Sequence, residues 1–316
     1  RAVIGIAQIE AARARIAGHV RKTPAIVPVG LKDPLPVDCK VTLKLECFQV
    51  TGSFKARGAM NRLLACTPAQ IAAGIVTASG GNHGLAVART AFAAGARATI
   101  FLPNNVSPAK IAKIKGWSAD PQIVGEVWDD ANAAALDFAK ATGATYFHPF
   151  SDPDVVAGQG TLGLDILDDM PDIDTILIAI GGGGLIAGLA TAMRARRPDI
   201  RIVGIEPVGS PTLRSCLDAG RLVGLDSLST RVPTLACRQT SQEIYDLVRG
   251  SVDRIVLVED DAMQDAARWL WFELGIAADL SGAASIAALR TKAAELGRMR
   301  HACALICGAG PEGVHA

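Results

Sequence analysis

The chain has 316 residues, half of them hydrophobic, with a mean hydropathy of +0.29 and a formal net charge of +1. That length is too great for one small core and suits two lobes, while aromatic residues at 4% with abundant Ala and Gly favour helices packed on a sheet over an all-β sandwich. A near-neutral chain without a basic stripe excludes nucleic acid and an acidic membrane surface as expected partners.

From the N-terminal side, Ala2–Gly18 carries Glu10, Arg13 and Arg15 and does not read as a signal peptide. A strand is predicted at Val41–Glu46, followed by Thr51-Gly52-Ser53-Phe54-Lys55-Ala56-Arg57-Gly58 and a helix over Ser53–Ala65. Ser53 is placed to cap that helix. Lys55 then sits in the first turn, where the helix dipole disfavours a cation. If it is also buried, its pKa falls, and a neutral amine is what Schiff-base chemistry requires. An ordinary solvated lysine reads equally well from the octapeptide alone.

The next predicted strand, Gly74–Ser79, runs into Ser79-Gly80-Gly81-Asn82-His83-Gly84 and a helix over Asn82–Ala94. Two glycines let the backbone approach a ligand, and loop N–H groups, the Ser79 hydroxyl and the Asn82 amide form a ready cradle for a carboxylate. A tight turn capped by Asn82, with His83 merely packed, reads equally well. Strands at Ala98–Leu102 and Gln122–Gly125 alternate with helices at Pro108–Lys115 and Asp130–Ala141.

The strand Thr175–Ile180 leads into Gly181-Gly182-Gly183-Gly184 and a helix over Leu185–Arg196. Thr175–Met193 carries no charge, but four consecutive glycines argue for strand, turn and helix rather than a membrane span. A side-chain-free turn at a helix N-terminus binds phosphate through N–H groups and the dipole. Gly182, Gly184 and Ala187 also fit a dinucleotide pattern, with Glu206 ending the next strand, Ile200–Glu206, where a ribose-binding acid would stand. A nicotinamide oxidoreductase is therefore a competing reading.

The strand Arg254–Val258, helices over Asp260–Glu273 and Ser281–Glu295, and the strand Ala302–Cys307 complete the pattern, with no repeat and no appended regulatory domain expected. Cys307 opens Cys307-Gly308-Ala309-Gly310 and could face a ring nitrogen or be a small buried hydrophobe. The seven cysteines are odd in number and lack paired spacing, so reduced thiols and a cytoplasmic location are expected, with no zinc site. Alternating strands and helices predict an α/β fold with mostly parallel sheets. A dinucleotide site would use one of the four loops; an adduct of a phosphorylated aldehyde cofactor with an amino acid would use all of them.

In that order, Thr51–Gly58, Ser79–Gly84 and Gly181–Gly184 resemble the fold-type II pyridoxal 5′-phosphate (PLP) enzymes. His148-Pro149-Phe150-Ser151 and Ala157-Gly158-Gln159-Gly160-Thr161 are similar to the threonine/serine dehydratase and serine racemase branch. The resemblance, from about Ala11 to Gly310, implies a two-lobe, tryptophan synthase β-like fold. Residues 1–52 and 146–316 would form the large lobe, and 53–145 a small mobile one. It implies that Lys55 holds PLP as a Schiff base and shuttles the substrate α-proton. It further implies that Phe54 packs on the ring, Asn82 bonds its hydroxyl, and Ser79, Gly80, Asn82 and His83 surround the substrate carboxylate. Gly181, Gly182, Gly183, Gly184 and Leu185 would hold the phosphate, and Cys307 stands where the family more often has Ser beside the ring nitrogen. A homodimer is a family-level expectation.

The implied activity is α,β-elimination from a β-hydroxy amino acid, such as L-threonine, L-serine or a bulkier 3-hydroxy compound, to an α-keto acid and ammonia. A racemase, a β-replacement synthase and a non-catalytic amino-acid sensor are the alternatives. Gly80 stands where racemases of the branch carry a Ser base, which disfavours racemisation. Glu206-Pro207 matches part of a divalent-metal site, but Thr212 holds the place of its Asp, so no metal is assigned and Glu206 is only a candidate ligand. The run Leu280-Ser281-Gly282-Ala283-Ala284 lacks the Glu that often precedes it, Asp279 reading as displaced by one. Gly310 stands where the family usually has Asn.

Overall fold

The fold was analysed in a computed structural model that describes residues 4–104 and 106–314. Ten strands lie among these residues: β1 (Ala25–Ile26), β2 (Lys40–Leu45), β3 (Ile75–Ala78), β4 (Ala98–Leu102), β5 (Asp120–Ile123), β6 (Thr145–Tyr146), β7 (Thr175–Ala179), β8 (Arg201–Pro207), β9 (Arg254–Val258) and β10 (His301–Ile306). They form a six-stranded sheet in the order β1-β2-β10-β7-β8-β9 and a four-stranded sheet in the order β5-β4-β3-β6. Every pairing is parallel except that of the short β1 with β2. All eight strands expected from the sequence are present within two residues of their expected ends, and β1 and β6 are additions.

Continuous apolar strands such as Ile176–Ala179 and Ala302–Ile306 are buried on both faces, as a parallel sheet covered by helices requires. In the small sheet the two-residue alternation is visible in the packing. Ile75, Ile100 and Leu102 join one apolar layer with Ala86 and Val87, while Val76, Ala78 and Phe101 join another with Ala131 and Ala135.

The longest helix, Pro153–Asp169, was not foreseen. Asp152 caps it, its Oδ1 accepting the N–H groups of Asp154 and Val155, and Pro153 begins it. Gly158 and Gly160 look like helix breakers in one dimension, but close packing requires them. A Cβ on Gly158 would lie 2.7 Å from the Cα of Gly58, and one on Gly160 would lie 2.9 Å from the Gly188 carbonyl. Two expectations need correction at helix ends. The helix carrying Lys55 spans Lys55–Leu64 with Phe54 at the capping position, and Ser53 Oγ is buried without a partner rather than capping. The run Ser281–Glu295 is two helices, Leu280–Thr291 and Ala293–Leu296, because Lys292 leaves helical geometry.

Helix Lys55–Leu64 is tied down two residues past the lysine. Arg57, 1% exposed, donates Nε and Nη2 to the two oxygens of Glu46, each at 2.9 Å, and Nη1 to Asp165 at 2.7 Å. Glu46 directly follows β2, so a two-bond charged clamp joins the end of that strand to the lysine helix. Removing one member leaves a buried charge unpaired. Arg57→Met is expected to lower unfolding free energy by about 3–5 kcal/mol in urea titration, and adding Glu46→Met should recover part of it.

Candidate active site

Three of the four singled-out loops leave adjacent strands. β10 lies between β2 and β7, so Glu46–Phe54, Cys307–Gly310 and Gly181–Gly184 emerge side by side at carboxyl ends. Short bridges join Ser53 to Gly308 and Ala278 to Ala309, and Phe54 N donates to Cys307 O at 3.2 Å. The fourth loop, Ser79–Gly84, leaves β3 of the other sheet, and Asn82 reaches the six-stranded side by donating to Asp279 Oδ2 at 2.8 Å.

Lys55 is the first residue of its helix, and its Nζ donates to Pro149 O at 2.7 Å. The side chain keeps some exposure to the cleft, yet protein crowds the amine enough for burial to lower its pKa to about 8. Phe54 lies beside it, ring centroid 5.2 Å from Nζ. The acceptor carbonyl is held by a turn that sequence reasoning quoted but gave no role. His148 Nδ1 accepts the N–H groups of Phe150 and Ser151 at 3.2 and 3.1 Å, and its ring meets that of Phe150 edge-on at 4.5 Å. Burial, and then Lys55, push the His148 imidazole down to about 4, which keeps Nδ1 an acceptor at neutral pH.

In the Ser79–Gly84 loop, Ser79 Oγ accepts Gly81 N at 3.3 Å, and a Cβ on Gly80 would fall 2.3 Å from Val106 Cγ2. His83 is buried, its Nε2 3.2 Å from Phe147 O, with Nδ1 lacking a partner; burial and then Lys55 hold it well below its usual pKa. The helix of this loop starts at Asn82 with Gly81 at its cap position, so Asn82 is not the cap.

The Gly181–Gly184 turn is narrow. A Cβ on Gly182 would lie 2.2 Å from the Phe150 ring, one on Gly184 would lie 2.5 Å from Phe150 O, and Gly183 has φ of 89°. Gly183 precedes helix Gly184–Arg196, whose first-turn N–H groups, Leu185 included, have no acceptor within the helix. Cys307 is buried, its Sγ 3.9 Å from Ser281 Oγ, and burial followed by Asp279 pushes the thiol well up. It is therefore a neutral group.

These residues fit a phosphorylated pyridine aldehyde. The glycine turn offers a phosphate cradle that any Cβ would fill, Lys55 offers a nucleophilic amine, and Asn82 and Cys307 offer uncharged polar partners. Both oxygens of Glu206 are engaged by backbone at the start of a helix. They accept the N–H groups of Leu213 and Arg214 at 2.8 and 2.9 Å, and burial raises the carboxyl to about 7. Thr212 Oγ1 turns to Cys237 O at 2.5 Å. Among the described residues no three His, Cys, Asp or Glu side chains gather as a metal site, all seven cysteines are free, and no helix is long and apolar enough to cross a membrane.

Residues 16–308 match the family model described as pyridoxal-phosphate dependent enzyme, and the chain belongs to that family. It is 36% identical over 281 residues to an L-threonine ammonia-lyase of Geobacter sulfurreducens, covering 89% of this chain and 69% of that one. A second L-threonine ammonia-lyase, from Thermotoga maritima, is 35% identical over 253 residues, covering 80% of this chain and 63% of that one. This chain thus spans about two-thirds of the length of these relatives. The structure of maize serine racemase superposes with a TM-score of 0.92 at 32% identity, covering 98% of this chain and 94% of that one. The fold is that of the fold-type II PLP enzymes.

Because burial lowers Lys55, its amine should be mostly protonated below pH 8 and free above it. Labelling of the cofactor-free protein by a small aldehyde with cyanoborohydride, read by peptide mass mapping, should give a midpoint of about 8 at Lys55. A midpoint of roughly 10.4, that of an exposed lysine, would show that the amine is not desolvated.

Proposed function

We propose that this protein catalyses α,β-elimination from a β-hydroxy amino acid, L-threonine, L-serine or a bulkier 3-hydroxy amino acid, releasing an α-keto acid and ammonia. The observation that carries the reading is the Lys55 amine, desolvated and held 2.7 Å from an uncharged carbonyl where the ligand-binding loops converge. The ammonia-lyases among its relatives add to it.

When bound, PLP supplies an aldehyde that condenses with amines and a ring that draws electron density from the substrate α-carbon. The chain supplies the rest. Lys55 Nζ, as free amine, takes the α-proton. Ser79, Gly80, Asn82 and His83 bind the substrate carboxylate through N–H and side-chain donors. Gly181–Gly184 and Leu185 would hold the phosphate, Phe54 would pack on the ring, Asn82 would bond its hydroxyl, and Cys307 would serve its nitrogen. A neutral thiol stabilises a protonated ring less than a carboxylate would, which favours prompt loss of a β-leaving group over long-lived carbanion chemistry. The crowding of Gly80 by Val106 supports elimination over racemisation, since a side chain there would require Val106 to move.

Residues 53–145 would act as the small lobe, closing over the substrate carboxylate and excluding water. The separate apolar layers of the four-stranded sheet support a second lobe, although they also take in Ile16, Tyr146 and Phe147. We further assign, as parts of the same proposal, a homodimer and a cytoplasmic location, the latter supported by the free thiols.

A keto-acid and ammonia assay across a panel of β-hydroxy amino acids tests the activity. Turnover is expected for at least one of them and none with Lys55→Ala. D-amino acid without ammonia would instead make the protein a racemase. Cys307→Asp is expected to slow elimination by about tenfold, and unchanged turnover would remove the ring-nitrogen role of Cys307.

A further inference from the structure

We propose that Asp279 is a positioning residue whose single carboxylate orients both polar side chains assigned to the cofactor ring: Asn82 directly, and Cys307 through Ser281. The inference rests on the PLP reading above.

Asp279 is buried at the N-cap of helix Leu280–Thr291. Its Oδ1 accepts Gly282 N at 2.6 Å and Ser281 Oγ at 2.7 Å, and its Oδ2 accepts Asn82 Nδ2 at 2.8 Å. The Gly282 bond is capping, which Asn, Ser or Thr would serve as well. The other two bonds are not explained by capping. The carboxylate is itself fixed against the turn after Cys307: Asp279 N donates to Gly308 O at 3.1 Å, and a Cβ on Gly308 would lie 2.5 Å from Oδ2.

An acceptor-only carboxylate decides hydrogen-bond directions. Asn82 can meet it only with its NH2, so the amide oxygen is turned away from Asp279. Ser281 gives its one proton to Oδ1, so towards Cys307 Sγ, 3.9 Å away, its oxygen can only accept. Where the two groups hydrogen-bond, the thiol proton is the one directed at Ser281. In that arrangement sulfur would meet the ring nitrogen with lone pairs and no proton to donate. Asn82 heads a helix of the four-stranded sheet and Asp279 heads one packed on the six-stranded sheet, so the same bond also ties the two sheets across the cleft.

Asp279→Asn separates this role from capping. It keeps a good cap, but it places an NH2 against the Asn82 NH2, forcing one amide to turn over. The holoenzyme of this variant should keep its melting temperature while the visible absorption band of bound PLP shifts. Its kcat should fall about tenfold or more, with KM changing less than about threefold. Asp279→Glu should restore part of the spectrum, and Ser281→Ala, which cuts only the Cys307 branch, should shift the band too. In the cofactor-free protein, amide exchange at Gly81–His83 should rise in Asp279→Ala. If Asp279→Asn does not fold, Asp279→Glu and Ser281→Ala decide the matter through the same band. Wild-type spectrum and kcat in the variants, with PLP bound to the wild type, overturn the role of Asp279 alone. A wild type that takes up no PLP overturns both this role and the cofactor reading.

Discussion

The Lys55 amine is crowded by protein without being given a counter-charge, and the elements around the cleft are arranged about it. Burial and a helix N-terminus both disfavour the ammonium form of Lys55. A carboxylate partner would reverse the effect; the structure supplies the carbonyl of Pro149 instead. Lys44 shows the contrast. It is more enclosed than Lys55, yet its Nζ lies 2.8 Å from Asp169 and 2.7 Å from Thr23 O, so it is a structural ion pair. One lysine has an uncharged acceptor and the other a carboxylate, and the difference lies in the partner.

Holding the carbonyl is the work of a short turn with two outlets. His148 Nδ1 gathers the N–H groups of Phe150 and Ser151. That turn presents Pro149 O to the amine and lays Phe150 against Gly182 and Gly184. The amine and the phosphate-type cradle are thus set by the same few residues. On the opposite side, the turn after Cys307 and the cap of helix Leu280–Thr291 pack together, and Asn82 reaches across to them. Arg57 and Glu46 anchor the helix that carries Lys55 to the end of β2.

Much of the fold was legible in the chain. Apolar runs such as Thr175–Ile180 and Ala302–Cys307 read as doubly covered strands because a parallel sheet demands that pattern. Helix Pro153–Asp169 was not legible, because Gly158 and Gly160 signal a break unless the neighbouring backbones that need their missing Cβ atoms are known. Asp152-Pro153 was a usable start signal that the glycines masked. Ser53 read as a cap from its residue type, but the bridge to Gly308 holds it in extended geometry and its hydroxyl caps nothing. Asp279 reads from the chain as one position out of place, and its bonds to Asn82, Ser281 and Gly282 emerge only in the folded structure.

The sequence by itself determined the residue types of the site and their attachment to strand ends, because glycine turns, a lysine after Ser-Phe and polar loop tips are local features that survive in one dimension. It also determined the α/β class, since alternation of strand and helix is a periodicity. Only the tertiary structure decided which groups meet. β10, last in the chain, inserts between β2 and β7, and that order alone brings Lys55, Cys307 and Gly181–Gly184 together. The lowered pKa of the amine depends on burial, and the bonds of Lys55 to Pro149 O and of Asn82 to Asp279 join residues 94 and 197 positions apart. Such contacts leave no periodic trace in the chain that forms them.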